Sequence, residues 1–290
     1  MTMRLVASDV DGTIMGHDGV ISTRTRNAFA AAREAGVQVV FVTGRPPRWL
    51  GPLAEQLGHD GTVICSNGAV VWDMAGGELV SADALLREQV LRLRGIIQEL
   101  HPEAGFAAEC VTGLRVEEGF HRAHAGSRLA ELEFAPLEES LGAEDRVVKF
   151  LAVSPVLSAE EFHALVVEAV GPLAHVTHSD PRFCLLEISA PGITKAHTLE
   201  RYAASLGIDA SEVVAFGDMP NDVQMLAWAG EGYAMTGGHP EALASTSFRA
   251  PSLADDGVAQ VIESKLGGIR VRTAGASGDM PITAFMGGEA

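Results

Sequence analysis

Three short apolar runs, Leu5-Val6-Ala7, Val37 to Val42 and Val213 to Phe216, each lead almost directly into a polar residue able to do chemistry: Asp9, Thr43 and Asp218. Short apolar runs bounded by turn signals read as strands buried on both faces, the habit of a parallel sheet. Such sheets gather their ligands at the carboxyl ends of the strands. The chain is therefore expected to bring one acid pair (Asp9, Asp11), one hydroxyl (Thr43) and a second acid pair (Asp218, Asp222) to a single sheet edge. Lys195, after Thr194, joins them from a helix start.

Length and composition set the outer limits. At 290 residues and 30.4 kDa the chain can bury a sizeable core and suggests about two domains. No apolar run approaches the ~18 residues of a membrane span. The first strand follows Met1 almost at once, without a charged leader, long apolar stretch and cleavage site, so a cytoplasmic protein without a membrane partner is expected. The formal net charge of −17, with no basic run, argues against a nucleic-acid partner, because phosphate backbones are held by clustered Lys and Arg. Cys65, Cys110 and Cys184 lack Cys-x-x-Cys spacing and read as buried free thiols. Lysine is scarce: only Lys149, Lys195 and Lys265 stand against eighteen arginines. One of the three occupies the candidate site, where arginine is a poor substitute for a compact ammonium.

Strand and helix patterns alternate from Met1 to about Ala82. Ser22 caps a helix ending at Gly36, Pro46 or Pro47 opens the next, and Thr62 to Cys65 reads as a third strand. Ser66-Asn67-Gly68-Ala69 is expected to turn it into Val70-Val71-Trp72 as a hairpin. From Asp83 the pattern changes to a helix reaching Leu100, strands near Gly105 to Cys110 and Leu114 to Glu117, and an irregular stretch. A strand at Arg146 to Val153 and a helix at Ala159 to Val170 follow. Leu173 to Thr177 and Phe183 to Ile188 then read as two strands around a Ser179-Asp180-Pro181 turn. The core pattern resumes at Ala190 and closes near Leu266. Gly267 to Ala290, rich in Gly, Ala, Ser and Thr, reads as a flexible tail.

Four pieces carry the chemistry: Asp9-Val10-Asp11-Gly12-Thr13, Val42-Thr43-Gly44-Arg45, Thr194-Lys195 and Gly217-Asp218-Met219-Pro220-Asn221-Asp222. In this order, each at a strand end or helix start, they closely resemble the haloacid dehalogenase superfamily of phosphatases. The Ser-Asn-Gly-Ala turn and the large insertion point to its Cof-like branch with a type 2B cap. The resemblance covers residues 4 to about 266. It implies an α/β fold, a doubly wound, Rossmann-like parallel core from residues 1–82 and 189–270. An α+β cap from 83–188 is inserted, and 271–290 is left as a tail. One departure stands after Ala234-Met235, where Thr236-Gly237-Gly238-His239 replaces a small residue followed by Asn-Ala.

A phosphate monoester is an inert dianion, so its hydrolysis needs charge neutralisation and a positioned nucleophile. Asp9 is the candidate nucleophile, through an aspartyl-phosphate. Asp11 is placed to give a proton to the leaving oxygen and then take one from water. Mg²⁺ would offset the facing anions, held by Asp9 and Asp218 and, as the resemblance implies, by the Asp11 backbone carbonyl. Asp222 is expected behind them, orienting the metal's water or Lys195. Phosphate contacts are expected from Val10, Thr43, Gly44, Lys195 and Asn221, with Gly12 turning the backbone and Thr13 bonding locally. Taken singly, each piece is an ordinary turn or cap. All four in order make the site.

The expected activity is hydrolysis of small phosphorylated metabolites, with sugar phosphates first and FMN or pyridoxal phosphate behind them. A phosphomutase of the same superfamily and a non-catalytic sugar-phosphate-binding protein are the alternatives. Specificity is expected in the cap, foremost in Gly119 to Arg128, with Arg122 and His124 named. His121/His124 and His175/His178 have metal-like spacing but no third ligand. Trp49, Trp72 and Phe120 read as packing residues.

Overall fold

The structure, a computed structural model, describes residues 2–58, 61–123, 133–177 and 184–274. Its strands run in chain order as β1 (Leu5–Ser8), β2 (Gln38–Val42), β3 (Thr62–Cys65), β4 (Val70–Asp73) and β5 (Glu78–Ala82). There follow β6 (Leu85–Leu86), β7 (Gly105–Cys110), β8 (Gly113–Val116), β9 (Arg146–Val153), β10 (His175–Thr177) and β11 (Leu185–Ser189). The last three are β12 (Val213–Gly217), β13 (Glu231–Met235) and β14 (Phe248–Ala250). One sheet has the order β14-β13-β12-β1-β2-β3-β4-β5. Its pairings from β14 to β3 are parallel, while β4 and β5 are added antiparallel.

β1 and β12 are buried along their whole length because helices cover both faces of this sheet. On one side Thr23–Glu34 lays Ala28, Phe29 and Ala32 into the core, with Phe29 set edge-on to Phe41 at 5.0 Å. Ser22 caps that helix, its hydroxyl accepting from the Thr25 amide. On the other side Leu199 and Ala203 of the helix Lys195–Ser205 pack with Met225 and Leu226.

The second sheet has the order β10-β11-β9-β7-β8, with β6 on β9, and every pairing is antiparallel. Phe106, Phe150, Leu186 and Ile188 point to one face, where Val90 and Ile97 of Arg87–Leu100 and Phe162 and Val166 of Ala159–Val170 cover them. Alternation sends Glu109, Lys149, Leu151, Leu185 and Glu187 to the opposite face, toward the first sheet.

The readings from sequence differ from the structure in several places, among them the helix expected from Asp83, which begins only at Arg87 after β6 pairs with β9. The strand expected from Leu173 begins only at His175, because Leu173 and Ala174 bond back to the Val170 carbonyl and close the preceding helix. The last helix, Gly257–Ala274, runs past both Leu266 and residue 271. Its inner face, including Val258, Ala259, Ile262 and Leu266, is anchored in the core, which outweighs the breaking tendency of Gly267 and Gly268. Cys184 is half-buried where Cys65 and Cys110 are buried, and all three are free thiols. The Ser179-Asp180-Pro181 turn and the remaining tail, 275–290, lie outside the described residues. Among the described residues no helix is long and apolar enough to cross a membrane.

Candidate active site

Parallel pairing of β1 with β12 sets the ends of two strands, and so Asp9 and Asp218, side by side. Gly68 brings Lys195 in against them. It has φ +104°, and a Cβ there would lie 2.3 Å from the Thr194 carbonyl oxygen, so only glycine lets the helix at Lys195 start this close. The Lys195 ammonium, 1% exposed, donates to Asp9 Oδ1 at 2.6 Å and to Asp222 Oδ1 at 2.7 Å. Asp222 Oδ2 accepts the amides of Asp218 and Met219, both at 3.0 Å. Asp222 therefore spends both oxygens on holding Lys195 and the loop.

Asp9, Asp218 and Asp222 bring carboxylate oxygens within 4.8 Å of one another. With Asp222 satisfied, Asp9 and Asp218 remain the side chains fit for a hard cation. Burial pushes the Asp218 carboxyl up to about 6, against the Thr13 hydroxyl that donates to its Oδ1 at 2.7 Å. Burial likewise raises Asp9 well above the ordinary carboxylate range, opposed by Lys195.

Asp11 stands on the open side, where Arg45 grips it with Nε to Oδ2 at 2.8 Å and Nη2 to Oδ1 at 2.6 Å. Both its oxygens are engaged, so Asp11 can take another partner only when this pair opens. Gly12 has φ +85°, and a Cβ there would sit 2.4 Å from Asp218 Oδ2. Gly12→Ala should cost about 1–3 kcal/mol through backbone strain and, by displacing Asp218, weaken divalent-cation binding about tenfold or more. Thermal unfolding and calorimetric cation titration read the two effects separately; unchanged cation affinity would show that Asp218 does not depend on this glycine.

The Val10 side chain is fully buried and its carbonyl accepts from Ile14 and Met15, which leaves its amide as the group able to meet a phosphate. Thr43 is buried, and its hydroxyl accepts from the Arg45 amide at 3.1 Å. Against this loop lies the hairpin turn, where Ser66 (φ 51°) and Asn67 (φ 57°) are successive left-handed residues other than glycine. Such strain persists where the surroundings over-determine it. Here the Ser66 amide donates to Arg45 O and the Asn67 amide to Thr43 O. Asn221 donates from Nδ2 to Asn67 Oδ1 at 3.0 Å.

The second sheet closes a cavity of about 830 Å³ over these residues. Arg48 reaches across to Glu109 with a bidentate pair at 2.8 and 2.6 Å. Lys149 donates to the Gly44 carbonyl at 3.0 Å and pairs with Glu187 Oε1 at 2.9 Å, while Asn67 donates to Glu187 Oε2 at 2.9 Å. Trp49, expected as packing, is 53% exposed in this cavity with the Arg48 guanidinium 4.7 Å above its ring. The sequence reading gave no role to Arg48, Glu109, Lys149 or Glu187, although a signal was there: each of the last three is a charge set among apolar neighbours inside a strand.

The described part of Gly119 to Arg128, residues 119–123, packs through Phe120 beside Ala107 and Val153 and does not line the cavity. His124 and the rest of that stretch lie outside the described residues, as does His178. Among the described residues no histidine joins a group able to hold a metal. In the Thr236–His239 loop, the His239 amide donates to the Asp218 carbonyl at 2.7 Å and its Nδ1 caps the helix Pro240–Ala244. The altered loop thus still buttresses Asp218.

A family model of haloacid dehalogenase-like hydrolases matches residues 6–262. A pyridoxal phosphate phosphatase of Escherichia coli is 28% identical over 92% of this chain and 100% of its own. A 5-amino-6-(5-phospho-D-ribitylamino)uracil phosphatase of Bacillus subtilis is 27% identical over 90% and 94%. Among solved structures, a phosphatase of the haloalkanoate (HAD) enzyme superfamily from Bacteroides thetaiotaomicron superposes with a TM-score of 0.77 at 20% identity, over 91% of this chain and 95% of that one.

Proposed function

The chain belongs to the haloacid dehalogenase-like hydrolase family, and from that premise we propose that it is a Mg²⁺-dependent phosphatase of small phosphorylated metabolites, with Asp9 as nucleophile. The observation that carries the reading is the buried Asp9–Lys195–Asp222 cluster beside Asp218 at the carboxyl ends of β1 and β12. A module that only bound a phosphate would have no use for so many buried carboxylates, since each burdens the site with desolvation.

Lys195 takes Asp9 Oδ1 and leaves Oδ2 to attack phosphorus. As that bond forms, the bond from phosphorus to the ester oxygen breaks, and Asp11, released from Arg45 and carrying a proton taken from solvent, gives that proton to the leaving oxygen. Water then attacks the aspartyl-phosphate, Asp11 takes its proton, and orthophosphate leaves Asp9. The Val10 and Gly44 amides, Thr43, Asn221 and Lys195 steady the phosphoryl oxygens through both steps. A divalent cation held by Asp9, Asp218 and the Asp11 carbonyl would supply the remaining positive charge.

For the leaving group we place phosphorylated nitrogen heterocycles ahead of the simple sugar phosphates expected from sequence. Both relatives named above act on such compounds, and half-buried Leu151 and Leu185 line the same cavity as Trp49, giving it apolar surface for a flat ring. A phosphate-release screen with Mg²⁺ tests the whole reading, with product analysis in the presence and absence of a bisphosphate separating hydrolysis from phosphomutase transfer. No release from any phosphate ester would refute it.

Chelation should abolish activity, Mg²⁺ should restore it, and Ca²⁺, larger and looser in coordination, should inhibit. A cation has to displace the proton that burial keeps on Asp218 up to about pH 6. Apparent affinity should therefore fall by about tenfold or more per pH unit below that value. Calorimetry across pH 5 to 8 measures this, and a flat profile would remove Asp218 from the ligand set.

A further inference from the structure

We infer that Lys149 and Glu187, carried on β9 and β11 of the second sheet, are positioning residues that assemble the phosphate pocket, so that the cap sheet builds the catalytic centre as well as covering it. The inference rests on the phosphatase reading above.

The pair is 10% and 12% exposed, and two charges so enclosed are costly unless each is well partnered. Their partners lie on the adjoining loops that follow β2 and β3 of the first sheet, where the Asn67 amide donates to the Thr43 carbonyl at 3.1 Å. Lys149 Nζ takes the Gly44 carbonyl at 3.0 Å, and the next amide, Arg45 N, is held by the Thr43 hydroxyl at 3.1 Å. The peptide that closes the Thr43-Gly44 loop is thereby fixed at both ends. Glu187 Oε2 accepts from Asn67 at 2.9 Å, and Asn67 Oδ1 accepts from Asn221 at 3.0 Å. One ion pair thus orients both the Thr43-Gly44 loop and, through Asn67, the Asn221 amide. Lys149 also reads unusually in sequence: in a chain with three lysines, one stands in mid-strand among Val147, Val148, Phe150 and Leu151. Binding energy from such remote contacts is what holds reacting groups in place.

Inorganic phosphate, added with Mg²⁺, is the probe, because it has no leaving group. Lys149→Met should raise its inhibition constant about tenfold or more, the range found when a group that orients a ligand-holding group is lost. The same variant should lower kcat/KM equally for the preferred metabolite and for a small aryl phosphate. Glu187→Gln, which keeps an acceptor for Asn67, should lose less than Glu187→Leu. The double variant Lys149→Met/Glu187→Leu should be no worse than the poorer single, as expected for one unit.

An unchanged phosphate constant overturns the inference. So does loss confined to the metabolite, which would make Lys149 a leaving-group contact, and so does a fall in Tm alone, which would make the pair structural. If Lys149→Met does not fold, Asn67→Gly cuts the same relay while accepting φ 57°; the same rise in the phosphate constant is expected, and its absence is equally fatal. A wild type that neither binds phosphate nor turns over refutes the phosphatase reading, whereas an active wild type with indifferent variants refutes the relay alone.

Discussion

Asp9→Asn should lower kcat by at least about four orders of magnitude while leaving the protein as stable as before, or slightly more so. The amide oxygen can still accept from Lys195, which keeps its bond to Asp222, so no buried donor is stranded. What disappears is a carboxylate that burial disfavours and the oxygen proposed to form the phosphoenzyme. Rapid quenching after mixing with a labelled aryl phosphate should detect no acyl-phosphate in this variant. Asp11→Asn, by contrast, should show a burst of phosphoenzyme with a good leaving group and then stall. Activity above about a tenth of wild type in Asp9→Asn would take the nucleophile's role away from this residue.

The second large effect is on folding. Lys195→Met removes the cation between two buried carboxylates, and breaking a buried pair from one side costs about 3–5 kcal/mol, a fall of about 10 °C in Tm. Activity should vanish as well. The sign of the pH dependence is fixed by Asp9, whose carboxyl is raised by burial and, once Lys195 is gone, loses the group that opposed the rise. A carboxyl raised in the folded state holds a proton that the unfolded chain releases, so its contribution favours folding at low pH and is lost as pH climbs through the raised value. The variant should therefore lag wild type most at pH 8 and least at pH 5 in thermal melts. A constant deficit across that range would mean that lost packing, and not stranded charge, is responsible. Lys195→Arg should not rescue, because a planar fork does not fit a fully enclosed point contact with two acids.

Asp9, Thr43 and Asp218 are legible in the sequence because each ends an apolar run, and in a parallel sheet a run's end is also a place in space. The Arg146 to Val153 strand and the Ala159 to Val170 helix are legible for a similar reason, their periodicity being local. Lys149, Glu109 and Glu187 are visible as misfit charges, yet what each touches depends on which face of the second sheet turns inward, and that is settled by packing between segments far apart in the chain. Trp49 misleads because an aromatic residue beside two prolines reads as core, whereas the short 3-10 turn Pro47–Trp49 points it into the cavity. The helix to Ala274 is hidden by its own glycines, which break helices on average but not when the preceding turns are already anchored in a core.

The place of β1 in the middle of its sheet governs how the chain can be made. Its neighbours are β2, synthesised soon after it, and β12, whose first residue, Val213, pairs with Leu5. A ribosome adding about 5–20 residues per second takes on the order of 10 to 40 s to bridge that interval, during which the whole second sheet emerges with all its strand partners between Leu85 and Ser189. Through that time the nascent β1, Leu5-Val6-Ala7-Ser8, presents one unpaired and mostly apolar edge, the kind of surface that recruits other chains. Nor can Asp9 meet Lys195 or Asp218 before synthesis enters the last third of the polypeptide, so the half-finished chain carries the proposed nucleophile without its partners.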